Sequence, residues 1–189
     1  MLDIDLIEQL KSVFAQIENE ITLSYYTSKN EKQLELIQML DGVASTNPKI
    51  KTILKTESSE IPRFEVLKNN TQTGIIFSGI PGGHEFSSLI LAILNVDGQG
   101  KTPDAAIARR IASIKGPVHL KTYISLTCEN CPDVVQALNQ MCLLHPEFTH
   151  EMIDGAYVQD EIEKLGIQGV PSVVHNGKLV HSGKISFSD

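Results

Sequence analysis

The sequence predicts an α/β protein built from two fused copies of one unit, mixed sheets flanked by helices. Three observations carry that expectation. The order helix, β-α-β, β-β occurs twice along 189 residues, enough chain for two small cores. A Cys-x-x-Cys, Cys128-Glu129-Asn130-Cys131, stands where an extended run meets an amphipathic one. An X-Pro step stands just before a β-hairpin signal in each copy, Ile61-Pro62 and Val170-Pro171.

In the first copy, apolar Leu6, Leu10, Val13, Phe14 and Ile17 form a helical stripe within Leu2 to Ile21. Ile21 to Thr27 reads as a strand, and Asn30 is placed to cap a helix whose stripe is Leu34, Ile37, Met39, Leu40 and Val43. Asn47-Pro48 ends that helix. Strands are expected over Lys49 to Lys55, Arg63 to Leu67 and Gly74 to Ser78, then a helix from about His84 to Leu94. In the second copy Gly98 to Thr102 is a connector, and Pro103 opens a helix to about Ile114. The strand Val118 to Leu126 leads into the Cys helix, which stops at His145-Pro146. A strand Phe148 to Ile153, a short helix Tyr157 to Leu165 closed by Gly166, and a strand Ser172 to His175 follow. Asn176-Gly177 is a tight-turn signal joining that strand to Lys178 to Ser182.

The copies align by eye. Ile21-Thr22-Leu23-Ser24-Tyr25-Tyr26 matches Val118-His119-Leu120-Lys121-Thr122-Tyr123, and Gly74-Ile75-Ile76-Phe77-Ser78-Gly79 matches Lys178-Leu179-Val180-His181-Ser182-Gly183. The expected division is therefore 1–98, without a dithiol, and 99–189, with it. Where the second copy has its cysteines, the first has Ser28-Lys29-Asn30-Glu31. After Gly183 only six residues remain, so the second copy's final helix is expected to be truncated.

A helix start offers unpaired N–H groups and partial positive charge, both favouring a thiolate. Cys128, at or near the N-cap, is the candidate nucleophile, and Cys131, one turn on, the buried resolving partner. Pro132 lies in or just past the first turn, where a missing N–H costs little. A structural staple and half a zinc site are the alternatives. Zinc lacks a second ligand pair, since Cys142 lies eleven residues past Cys131, roughly 16 Å along one helix. A Cys-x-x-Cys followed by Val170-Pro171 before a hairpin describes a thioredoxin-like (glutaredoxin-like) fold, in which that proline is expected cis beside the dithiol, leaving a backbone edge for a partner strand. His84-Glu85 is the remaining pair of interest. Glu85 could assist proton transfer if the copies pack together, or could simply face its helix dipole, with His84 near the cap. Glu129 and Asn130 are expected on the surface. Lys121, His119 and His150 are expected to be surface or strand residues, and Tyr157, Asp154 and Cys142 structural.

The net charge of −7 and the lack of a basic run argue against nucleic acid. The longest apolar run, Leu89 to Leu94, is too short to span a membrane. The acidic start Met1-Leu2-Asp3-Ile4-Asp5 is unlike a secretion signal, and a cytoplasmic location is expected.

Gly83-His84-Glu85-Phe86-Ser87-Ser88-Leu89, Ser125-Leu126-Thr127-Cys128-Glu129-Asn130-Cys131-Pro132-Asp133 and Gly169-Val170-Pro171 with Asn176-Gly177-Lys178 resemble the N-terminal domain of the F component of bacterial alkyl hydroperoxide reductase over nearly the whole chain. The resemblance implies a thiol–disulfide oxidoreductase with one active dithiol. Its electrons would come from a flavoprotein reductase module carrying FAD and using NADH, and pass to a peroxiredoxin, the C component of the same system. It implies that Cys128 attacks the peroxiredoxin disulfide, that Cys131 resolves the mixed disulfide, and that Glu85 is the acidic residue near the pair. No Gly-x-Gly-x-x-Gly fingerprint is present, so FAD and NADH are expected on a separate module, in cis or in trans. A glutathione-using disulfide reductase and a redox-sensing interaction module are the other readings.

Overall fold

In the computed structural model, which describes residues 2–189, the two copies share one sheet. The elements are α1 (Ile4–Val13), β1 (Ile21–Thr27), α2 (Gln33–Ala44), β2 (Ile50–Ser58), β3 (Arg63–Lys68), β4 (Thr71–Ser78) and, after a 3₁₀ turn Gly83–Glu85, α3 (Phe86–Asp97). Then come α4 (Ala105–Ala112), β5 (Val118–Ile124), α5 (Cys131–Leu144) and β6 (Phe148–Asp154). A 3₁₀ turn Gly155–Tyr157, α6 (Gln159–Leu165), β7 (Ser172–His175) and β8 (Lys178–Ser182) complete the chain. Strand order is β2-β1-β3-β4-β6-β5-β7-β8. In each half the first strand pairs parallel with the second and antiparallel with the third, and the third pairs antiparallel with the fourth. The join is β4 with β6, parallel, Ile75 opposite His150 through Ser78 opposite Ile153.

That join puts the dithiol helix across both halves. α5 packs on β4, β5 and β6 and along α3, and one apolar cluster runs from Leu10, Phe14 and Leu36 through Phe64, Phe77 and Leu89 to Cys131, Val134 and Met152. Alternation along β6 sends His150 and Met152 to this face and Glu151 and Ile153 to the other. There α6 covers a second cluster, Tyr123, Ile153, Ile167 and Val174. The first half has no helix between β2 and β3, and charged side chains cover the sheet instead. Lys55 Nζ lies 2.7 Å from Glu65 Oε1, the Tyr26 ring sits under both Lys55 and Arg63, and Arg63 reaches Glu151 across the join at 3.6 Å.

Several expectations are corrected. The first helix is shorter: after Val13 the chain turns, and the backbone N–H groups of Glu18 and Asn19 donate to the Asp97 carboxylate at 3.1 and 2.8 Å. Asn30 does not cap α2. It makes a turn one step earlier, its Oδ1 accepting from Lys32 N–H at 2.9 Å. Leu36, rather than Leu34, faces the core; Leu34 is 63% exposed. The strand before the cysteines stops at Ile124, so Ser125 to Asn130 are loop. The Asn176-Gly177 turn is present, both residues at positive φ. No helix among the described residues is long and apolar enough to cross a membrane.

Candidate functional site

The loop Ser125–Asn130 and the first turn of α5 hold the cysteines. Cys128 and Cys131 are joined in a disulfide with Cα atoms 5.5 Å apart, a spacing at which the bond closes without backbone movement. Cys131 is the first residue of α5 and fully buried; Cys128 is half-buried in the loop. Asn130 takes the N-cap position, without a side-chain cap. Cys128 therefore stands two residues before the cap, and what reaches it is one specific group: the Cys131 backbone N–H, donated to Cys128 Sγ at 3.1 Å. An N–H at a helix start has no intrahelical acceptor, so it is free to stabilise negative charge on that sulfur. Pro132 follows at the second helical position, and Asp133, in the same turn, pairs with Lys184 at 3.1 Å.

Val170-Pro171 is cis, as expected, and Cys128 Sγ lies 3.9 Å from the Val170 carbonyl oxygen. Pro171 is buried while Val170 is exposed beside the sulfur. Gly116-Pro117 is also cis, which sequence reasoning missed; Ile61-Pro62 is not.

The first copy meets this loop through its turn Pro81–Glu85. His84 N–H donates to the Leu126 carbonyl at 3.0 Å, two residues before Cys128. Gly83, at φ +53°, lies so close that a Cβ there would come within 2.6 Å of the same oxygen. The His84 side chain is exposed, and this backbone bond is its contribution. Glu85 is fully buried. Its Oε2 accepts from Ser88 Oγ at 2.6 Å, and its Oε1 has no partner. Burial pushes the carboxyl up to about 7, against the opposing pull of Ser88. The turn and α3 pack on α5, and Gln136 of α5 donates to Ser88 Oγ at 3.2 Å. A buried acid of the first copy is thus tied to the helix that carries the cysteines of the second.

His150 is not a simple strand residue. It is fully buried, with Nδ1 on Asn139 Oδ1 and Nε2 on Thr122 Oγ1, both at 2.7 Å, under the middle of α5. Burial pushes it down to about 3, so it is neutral near pH 7. The signal available was the apolar alternation of β6, which puts position 150 inward with Met152. Glu129, Asn130, Lys121 and His119 are exposed. Asp154 caps the following 3₁₀ turn by accepting from Ala156 N–H, and Cys142 is buried in the core with its thiol pushed up to about 12 by burial. Among the described residues no three His, Cys, Asp or Glu side chains gather as a metal ion requires. A cleft of about 1110 Å³, lined among others by Lys68, Thr73, Asn95 and Phe148, contains none of the sequence-predicted site residues.

A thioredoxin domain family model matches residues 118–189. Over its whole length the chain is 40% identical to a protein named NADH dehydrogenase from Bacillus subtilis and 39% identical to the F component of alkyl hydroperoxide reductase, AhpF, from Staphylococcus aureus. A crystal structure of the N-terminal domain of AhpF from Enterococcus faecalis superposes with a TM-score of 0.91 at 28% identity, covering 100% of this chain and 97% of that one. A second AhpF structure from the same organism gives 0.89 at 30%, with 99% and 96% covered. The chain belongs to the family of AhpF N-terminal domains. It spans 37% of the length of the two curated relatives named above. A protein disulfide oxidoreductase from Aeropyrum pernix, 21% identical with a TM-score of 0.87, shares the fold.

Proposed function

We propose that this domain is a thiol–disulfide oxidoreductase that relays electrons to a peroxiredoxin, the C component of an alkyl hydroperoxide reductase, as part of peroxide removal in the cytoplasm. The observation that carries the reading is the asymmetry of the pair: Cys128 reaches the surface beside Val170, whereas Cys131 is sealed beneath it. The family relationship supports the choice of partner class. In this reading residues 1–98 are the copy without a dithiol and residues 99–189 the copy with it. FAD and NADH belong to a flavoprotein reductase module elsewhere.

The Cys128 thiolate attacks one sulfur of the peroxiredoxin disulfide, forming a mixed disulfide and releasing one peroxiredoxin thiolate. The Cys131 thiolate then attacks Cys128 Sγ, and the second peroxiredoxin thiolate leaves. Two electrons have moved, and the two protons of the dithiol end on the peroxiredoxin thiols. Val170 and Pro171 shape the edge on which the partner's strand lies. Cys131 gives up its proton inside the protein, and Glu85, buried in the turn that packs on the same helix, is the group that takes it and passes it on toward the departing peroxiredoxin thiolate. His84 holds the loop and Pro132 the first helical turn.

The test is a stoichiometric transfer. Reduced domain mixed with oxidised peroxiredoxin should lose both thiols as the peroxiredoxin gains two. Exchange with oxidised glutathione but not with the peroxiredoxin would overturn the partner, and exchange with neither would overturn the function.

A further inference from the structure

Ser87 and Ser88 are neighbours on α3 whose hydroxyls behave differently. Ser87 Oγ donates back to the His84 carbonyl at 3.1 Å, the ordinary bond of a helical serine. Ser88, fully buried, turns instead to Glu85 Oε2 at 2.6 Å. The other copy reaches both hydroxyls: Gln136 Nε2 donates to Ser88 Oγ at 3.2 Å and to Ser87 Oγ at 3.3 Å. With its oxygen already accepting from Gln136, the Ser88 hydroxyl sends its hydrogen to the carboxylate, and the chain Gln136 to Ser88 to Glu85 runs in one direction. Glu85 Oε1 is left buried with no partner, the atom free to carry a proton.

From this geometry we propose that Ser88 and Gln136 are a positioning pair, which fixes the Glu85 carboxyl against the dithiol helix and sets the pH at which it gives up its proton. The inference rests on the proton-carrying reading of Glu85 given above. It makes the first copy more than a scaffold: it supplies the acid and the serine, and the second copy supplies the amide that aims them. A hydrogen bond donated to a carboxylate stabilises the charged form, so losing it raises the affinity for the proton. Burial raises the proton affinity of the Glu85 carboxyl, and the bond from Ser88 lowers it. The titratable groups on the elements packed against its turn are Cys131, Asp133 and Cys142 on α5, with Cys128 in the loop before it, and Asp97 at the far end of α3. His84 adjoins it on the turn and points to solvent.

The test is a titration of the Glu85 side-chain carboxyl by ¹³C NMR in the disulfide form, with the pH profile of exchange against a small aromatic disulfide measured in parallel. Ser88→Ala should raise the Glu85 midpoint by on the order of one pH unit. Gln136→Leu should move it the same way by less, and the corresponding limb of the exchange profile should follow both. Gln136 is half-buried, so that variant keeps the test alive should Ser88→Ala fold poorly. A midpoint unmoved in the folded variants overturns the positioning role. An exchange profile that Glu85→Gln leaves unmoved overturns the proton role of Glu85 itself, while the NMR shift still reports whether Ser88 holds the carboxyl.

Discussion

Glu85→Gln changes the stability of the disulfide form in a way that depends on pH with a definite sign. Burial raises the Glu85 carboxyl from its ordinary 4.5 to about 7. Between those values the native protein keeps a proton that the unfolded chain has released, so stability falls as pH rises through the window and levels off above it. Each pH unit is worth about 1.4 kcal/mol, and the whole interval about 3 kcal/mol. Glutamine has the same shape and no proton to lose. The variant's stability should therefore gain on the parent's by that amount between about pH 4.5 and pH 7. His150, which burial shifts the opposite way, and Asp154, raised by burial, are common to both proteins and cancel in the difference. Urea unfolding of both proteins across that range gives the two curves. Curves that run parallel would refute the claim that a buried, neutral carboxylic acid sits in this turn.

Gly83→Ala should cost about 2–4 kcal/mol in the same assay: about 1–2 for an alanine in a left-handed conformation, and the rest because its Cβ meets the Leu126 carbonyl, part of the backbone leading to Cys128. Exchange should slow as that loop shifts, and a loss below about 0.5 kcal/mol would show that the turn does not hold the loop. Thr122→Val keeps the side-chain shape but leaves His150 Nε2 unpaired in the core, which should cost about 1–3 kcal/mol by urea unfolding. An unchanged midpoint would mean that the imidazole is held by Asn139 alone.

What the sequence could and could not reveal divides by range. Strand β1, the β7–β8 hairpin and the Cys-to-α5 junction were legible because local chemistry decides them: β-branched runs, a positive-φ Asn-Gly, a proline in the first helical turn. Position 36 escapes sequence reading for the opposite reason, since Leu34, Leu36, Ile37 and Leu40 offer two overlapping helical stripes and only the sheet beneath selects one. The pairing of β4 with β6 leaves no local trace. It decides where the site lies, because it lays α3 along α5 and brings Ser88 to Gln136. The alternation of Phe148, His150 and Met152 marks His150 as inward-facing but says nothing of what holds it. Its partners Thr122 and Asn139 stand 28 and 11 residues away. The cysteines are found by spacing, whereas the burial of Glu85 is a property of the packed pair of copies.

In the proposed relay Cys128 is the sulfur that meets a partner and Cys131 the one that releases it. Mass spectrometry of mixed disulfides formed by Cys131→Ser and Cys128→Ser, each reduced and mixed with an oxidised peroxiredoxin, measures this directly. A stable adduct through Cys128 in the first variant and none in the second is the predicted result; an adduct through Cys131 would contradict it.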